Sequence, residues 1–146
     1  MRFNEGTRRS EQISSLAAEH GLTERQVRHV LDGDVSGASG SGGHFGGSPN
    51  IRIVSESVNP VTGVRQAQIE VYNPRAGRFR PKSETSSLFP ADWSEQQVVA
   101  EIESAFRNSK PVVGEPTQWK GVGENGLSVT GYYDDAQTSW STGWPG

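Results

Sequence analysis

IRIVSESVNPVTGVRQAQIEV, residues 51–71, is where the chain changes its period. Ile51 and Ile53, then Val64, Ala67, Ile69 and Val71, are spaced among polar residues, and NPVTG at 59–63 is a turn signal between the two runs. Successive strand side chains point to opposite faces, so this pattern predicts two half-buried strands joined as a β-hairpin. Upstream the apolar residues recur at helical spacing. Ser10 as N-cap predicts a short helix to about His20 with Ile13, Leu16 and Ala17 on one face, closed by Gly21. Thr23 with Gln26 has capping-box spacing and opens a second helix that buries Val27, Val30 and Leu31 and stops at Gly33. Residues 1–9 are expected to be disordered or loosely docked, with Arg8 and Arg9 exposed.

Downstream of the hairpin, Tyr72-Asn73-Pro74 leads to a turn at Ala76-Gly77, then to Phe79 and PKSETSSLFP, a strand followed by a loop. Ser94 and Gln97 form another capping box, opening a helix to about Asn108 that buries Val98, Val99, Ile102, Ala105 and Phe106. Pro111, Gly114 and Pro116 mark a loop. Three short strands follow, around Trp119, across Leu127 to Tyr133 and across Gln137 to Trp144, with ENG and DDA as turns. Helices, strands, one helix and a terminal antiparallel sheet make an α+β domain, in which residues 1–22 form a helical extension of a unit spanning 23–146.

Composition narrows the function. With 146 residues the chain is one ordinary domain, and 32% hydrophobic residues with 18 glycines predict a folded, loop-rich unit with a modest core. The absence of cysteine excludes disulfides, thiolate metal sites and cysteine nucleophiles. No apolar run approaches the roughly 18 residues that span a bilayer, and the N-terminus lacks the apolar core of a signal peptide, so the opening reads as a domain boundary. A net charge of −3 argues against a protein that coats nucleic acid generally. Residues 51–82 are an exception, with Arg52, Arg65, Arg75, Arg78, Arg80 and Lys82 against only Glu56 and Glu70, which suits either a localised anion site or a solvated strand face.

His29 and His44 bracket HVLDGDVSGASGSGGH, fifteen residues apart, the first ending a helix and the second inside a glycine-rich loop. Such a loop is either a flexible linker or a backbone wrapped around a ligand. Two imidazoles titrate near neutrality, so one can accept a proton while the other donates one, and the Lys82 ammonium is suited to a phosphoryl oxyanion. That trio suffices for RNA transesterification through the ribose 2′-hydroxyl, giving a 2′,3′-cyclic phosphate and a 5′-hydroxyl. It needs no metal, no cluster of His, Asp and Glu has ligand spacing, and DNA, lacking the 2′-hydroxyl, is not a substrate.

HVLDGD followed by a glycine loop ending in GGH resembles the paired-histidine region of bacterial EndoU ribonuclease domains. KSETSSLFPADWSEQQVVAEI resembles that family's lysine-containing stretch, and STGWP its closing Ser/Thr-x-aromatic-Pro element. The three matches fall in the expected order; the first helix and the loop after Pro111 add nothing. The resemblance implies a compact barnase-like ribonuclease fold with His29, His44 and Lys82 as catalytic trio, His44 as general base and His29 as general acid. It implies that Thr142 hydrogen-bonds the base and favours cleavage at uridine, and that Trp144, where the family more often has tyrosine, stacks on the nucleobase. Arg78 and Arg80 are candidates for flanking phosphates. No cofactor is expected, though manganese stimulation stays open. Such domains are often C-terminal toxin modules of secreted or contact-delivered proteins used in contact-dependent growth inhibition. They cut tRNA or other RNA in the cytoplasm of a neighbouring cell, while an immunity protein protects the producer. A non-catalytic RNA- or protein-binding module of the same fold is the alternative. A helix-turn-helix reading of GLTERQVRHVL leaves the terminal sheet without a task.

Overall fold

The structure, a computed structural model, describes residues 2–146, with side chains described from Arg8. Two helices, α1 (Arg2–His20) and α2 (Glu24–Leu31), precede a small hairpin, β1 (Asp34–Ser36) and β2 (Ser39–Ser41). A first antiparallel sheet comprises β3 (Ile51–Val58), β4 (Arg65–Asn73), β5 (Arg78–Pro81) and β6 (Ser86–Leu88), with β4 central and β6 continuing the pairing on the β5 side. Helix α3 (Glu95–Arg107) leads to a second antiparallel sheet of β7 (Lys110–Val112), β8 (Glu115–Val122), β9 (Ser128–Tyr133) and β10 (Trp140–Pro145), ordered β10-β9-β8-β7. The α+β class holds, with two four-stranded sheets in place of one.

Local chemistry explains the helix starts. Thr23 and Ser94 each accept the N3 amide while Gln26 and Gln97 return to the cap amide, so both capping boxes close. The larger core joins Ile13, Leu16 and Ala17 of α1, the α2 stripe, and Val98, Val99 and Ile102 of α3 to Trp119, Val129 and Trp140 of the second sheet. The first sheet has its own cluster of Ile51, Ala67, Ile69, Val71 and Leu88.

Several expectations need correction, among them the loop read after β5, which contains β6, and Phe106, which is only partly buried. Residues 2–9 are helical, and Ser10 lies inside α1. The Arg9 guanidinium is partly buried: it holds Asp32 through Nε and Nη2 at 3.0 and 2.5 Å and reaches Glu95 at 2.7 Å. These charge-assisted hydrogen bonds hold Arg9 of α1 to the C-cap of α2 and the first residue of α3. The segment around Pro111 and Pro116 is no loop: β7 and β8 pair across a turn containing Gly114, with a register shift that absorbs the proline at 111. The last strand starts later than expected, at Trp140, because Asp134 gathers the amides of Thr138 and Ser139 into a turn.

Asp32, the C-cap of α2, is 2% exposed and also accepts from Ser48 Oγ (2.6 Å) and Asn50 Nδ2 (3.0 Å). It thus ties α1 and the chain after the glycine loop to one point. Removing one partner of a buried charged network leaves the others unpaired, at a cost of about 3–5 kcal/mol. Asp32→Ala should lower unfolding stability by that order, read from urea denaturation followed by circular dichroism, whereas Arg8→Ala should leave it nearly unchanged.

Candidate active site

The glycine-rich segment is a cap on a helix. The last carbonyls of an α-helix have no partner within it; here Gly43 N–H donates to His29 O (3.0 Å) and His44 N–H to Val30 O (2.6 Å). The loop therefore adheres to the C-terminal end of α2, and His44 arrives beside His29 by backbone bonding. Gly42 and Gly43 have φ of +66° and +76°, values that glycine adopts without the penalty of a Cβ. A Cβ on Gly42 would run into His29 O and stand 2.9 Å from the ring atoms Cε1 and Nε2. The loop passes this close to the imidazole only because residue 42 has no side chain.

Each imidazole is held by its Nδ1. His29 Nδ1 lies 2.5 Å from Asp34 Oδ2, a carboxylate that accepts, so Nδ1 donates. This hydrogen bond, helped by the charges of His29, Arg25 and Arg28 and opposed by burial, holds the Asp34 carboxyl below the usual carboxylate range. His44 Nδ1 donates to Ser87 O at 2.6 Å, leaving Nε2 as the nitrogen able to take a proton. Burial above all, with the nearby Lys82 and His29 charges, pushes the His44 imidazole down to about 3, against the raising effect of the Ser87 bond. The ring is therefore neutral at physiological pH.

Lys82 closes the group. Its Nζ donates to Gly42 O and to Ser86 Oγ, each at 3.1 Å. Ser86 Oγ donates in turn to Gly43 O (3.0 Å) and sits 3.4 Å from His44 Nδ1. Burial holds the ammonium below the usual lysine range, against the influence of Glu84. His29, His44 and Lys82 thus meet around one dipeptide, Gly42-Gly43.

The second sheet supplies Thr142 and Trp144. A register shift between Trp140 and Thr142 leaves Ser141 unpaired, so Trp140 enters the core while Thr142 and Trp144 take the opposite face. The Trp144 ring centroid is 6.3 Å from His44 and 5.5 Å from Tyr132. Thr142 Oγ1 is buried without a hydrogen-bond partner among the described residues, a costly condition for a hydroxyl.

The basic segment divides. Arg52 stacks over Phe79 at 4.0 Å and pairs with Glu70, and buried Arg65 bonds Glu56 and Phe89 O, so both are structural. Arg80 pairs in register with Val71, whose side chain faces Gly33 and Gly40 of the hairpin segment, and Arg78 and Lys82 continue that alternation. Arg80 Nε is buried without a partner among the described residues, while Arg78 is exposed. Arg80 is thus near Lys82, and Arg78 is farther along the strand. Among the described residues no three His, Asp or Glu side chains converge to hold a metal ion.

Asp34, Ser86 and Tyr132 escape sequence reasoning. The only hint of Asp34 is its place five residues after His29 in HVLDGD, where Gly33 turns the chain back toward the helix end. Ser86 lies within the lysine-containing stretch but nothing marks it among Ser83, Ser86 and Ser87. Tyr132 becomes visible only through strand register.

Two imidazoles and an ammonium thus converge around one loop, with the Trp144 ring 6.3 Å from that of His44. Residues 23–146 match the family described as bacterial EndoU nuclease, and the chain belongs to that family. It is also 28% identical over 129 residues to a Bacillus cereus protein named "Toxin", an alignment covering 84% of this chain and 22% of that relative. The chain thus spans about a fifth of the relative's length.

Two measurements check this geometry. Gly42→Ala should displace the His29 ring and cut nuclease activity at least 100-fold while the far-ultraviolet spectrum is preserved. His44 has a folded-state pKa below its unfolded value of 6.5, so the unfolded chain binds more protons between the two. The stability from keeping the ring neutral is complete above about pH 6.5 and is lost as pH falls toward 3, at up to about 1.4 kcal/mol per pH unit. Urea midpoints should fall across that window, and His44→Gln should remove this part of the slope.

Proposed function

We propose that this chain is a metal-independent endoribonuclease that cleaves RNA by attack of the ribose 2′-hydroxyl on the adjacent phosphorus. His44 Nε2 takes the 2′-hydroxyl proton, the O2′–P bond forms, and the P–O5′ bond breaks. His29 donates a proton to the departing O5′, leaving a 2′,3′-cyclic phosphate and a 5′-hydroxyl. Lys82 stabilises the negative charge that gathers on the phosphoryl oxygens. The observation that carries this reading is the Nδ1 bonding of both rings, to Ser87 O for His44 and to Asp34 for His29. A carbonyl partner suits a neutral base, and a carboxylate partner suits a ring that carries a proton to deliver. Asp34 is then a positioning residue for His29.

Trp144 stacks on the nucleobase and Thr142 Oγ1 supplies its unspent hydrogen bond to it, favouring uridine; Arg80, and Arg78 beyond it, meet flanking phosphates. Family membership and the toxin relative support a further reading at the level of the cell. The chain acts as a toxin module carried by a larger delivered protein. It cuts tRNA or another single-stranded RNA in the target-cell cytoplasm and is neutralised in its producer by an immunity protein. No helix among the described residues is long and apolar enough to cross a membrane.

Incubation with uridine-containing RNA in EDTA should yield fragments ending in cyclic phosphate, resolved by mass spectrometry of the 3′ ends. His44→Gln should slow cleavage by about 10²–10⁴-fold, the usual worth of a general base. Intact RNA from the folded native chain in EDTA, rescued by manganese, would overturn metal independence; intact RNA under both conditions would overturn the nuclease mechanism. Asp34→Asn should reduce kcat more than it raises KM and shift the alkaline limb of the pH–rate profile, which a purely structural residue would not do.

A further inference from the structure

The chain has three lysines, and one of them is Lys82. The other two, Lys110 on β7 and Lys120 on β8, are direct register partners. Register extends this pair across the second sheet: Lys120 pairs with Thr130 on β9, and Thr130 with Trp144 on β10. The four residues form one row perpendicular to the strands. Trp119, Val129 and Gly121 of the neighbouring rows face the core and α3, so the row of Trp144, Thr130, Lys120 and Lys110 lies on the opposite face. Strands are spaced about 4.8 Å apart, which places the backbone of Lys120 roughly 10 Å from that of Trp144 and that of Lys110 roughly 14 Å away.

Both ammonium groups are exposed, and neither belongs to an ion pair among the described residues. They border a surface depression of about 580 Å³ that also exposes Asn108 and Ser128. On a chain of net charge −3, two uncompensated cations side by side, in line with the aromatic beside His44, are a local attractor for a polyanion.

We infer that Lys120 and Lys110 bind backbone phosphates of a single-stranded RNA that runs from the Trp144 side of the cleft across the outer face of β9, β8 and β7. This rests on the ribonuclease reading and extends it: the substrate is a strand several nucleotides long, gripped well away from the cut. The alternative occupant, an acidic protein surface, lacks reason to be aligned with the aromatic at the base site.

The test is binding of a fluorescein-labelled twelve-nucleotide oligouridylate to His44→Gln protein, by anisotropy in EDTA over a salt series, with and without Lys110→Ala and Lys120→Ala together. Each lost phosphate contact on a single strand lowers the magnitude of the salt slope by about 0.7. The double change should reduce it by about 1.4 and weaken binding roughly 25-fold at 0.1 M salt if the affinities meet at 1 M. An unchanged slope in the double variant, or no binding of the oligouridylate by the His44→Gln protein, overturns the inference. So does polyglutamate displacing the RNA as well as unlabelled oligouridylate does, which would mark the face as a docking surface for acidic protein. Cleavage by the native chain is scored separately, so loss of the lysine effect with RNA still cut removes this surface alone, and uncut RNA removes the ribonuclease reading.

Discussion

Two amide-to-carbonyl hydrogen bonds, from Gly43 and His44 to the last carbonyls of α2, hold the site together. Helix ends must satisfy their orphan carbonyls, and water commonly does so. Here Val30 O accepts from His44 N–H, and His29 O, which already accepts from Gly33 N–H, accepts from Gly43 N–H as well. The two histidine backbones are therefore fixed relative to one another by two hydrogen bonds, and each ring by the partner of its Nδ1. Lys82 is held to the same loop through Gly42 O. A cluster of side chains held this way resists the small misplacements that would degrade the proposed proton transfer.

The motif HVLDGD contains two aspartates with divergent tasks. Asp32 is buried and spent on Arg9, Ser48 and Asn50, so it anchors α1 and the end of the glycine loop. Asp34, two residues on and exposed, turns back to His29. The difference is made by Gly33, whose positive φ reverses the chain between them. One carboxylate serves stability and the other the ring that it orients.

The second sheet solves a separate problem, because β10 must both seal the core and face the cleft. The irregularity at Ser141 allows it, sending Trp140 inward and Thr142 and Trp144 outward along one short strand. The glycines at 121, 131 and 143 keep the inner face thin, so that Trp119 and α3 approach the backbone closely. The outer face is then free to carry polar and aromatic groups in register with the site.

Much of this was determined by sequence alone. The capping boxes at Thr23 and Ser94, the helical stripes, the period-two alternation after residue 51 and the order of elements are local properties, legible because helix and strand each impose a period on buried residues. The candidate trio was legible too, through residue chemistry and the order of three motifs. Tertiary structure decided what depends on partners far away in sequence. Arg9 is held against the body of the domain only because Asp32 and Glu95 are near it. The Pro111 segment becomes a strand only because β8 lies alongside. Ser86 enters the site through contacts with Gly43 and His44, 43 and 42 positions away in sequence, and Tyr132 through its ring contact with Trp144; the glycine loop, legible only as a linker or a backbone wrapped around a ligand, is held to α2 by hydrogen bonds to His29 O and Val30 O. Periodicity reports which face of an element is buried; it holds no record of what that face will meet.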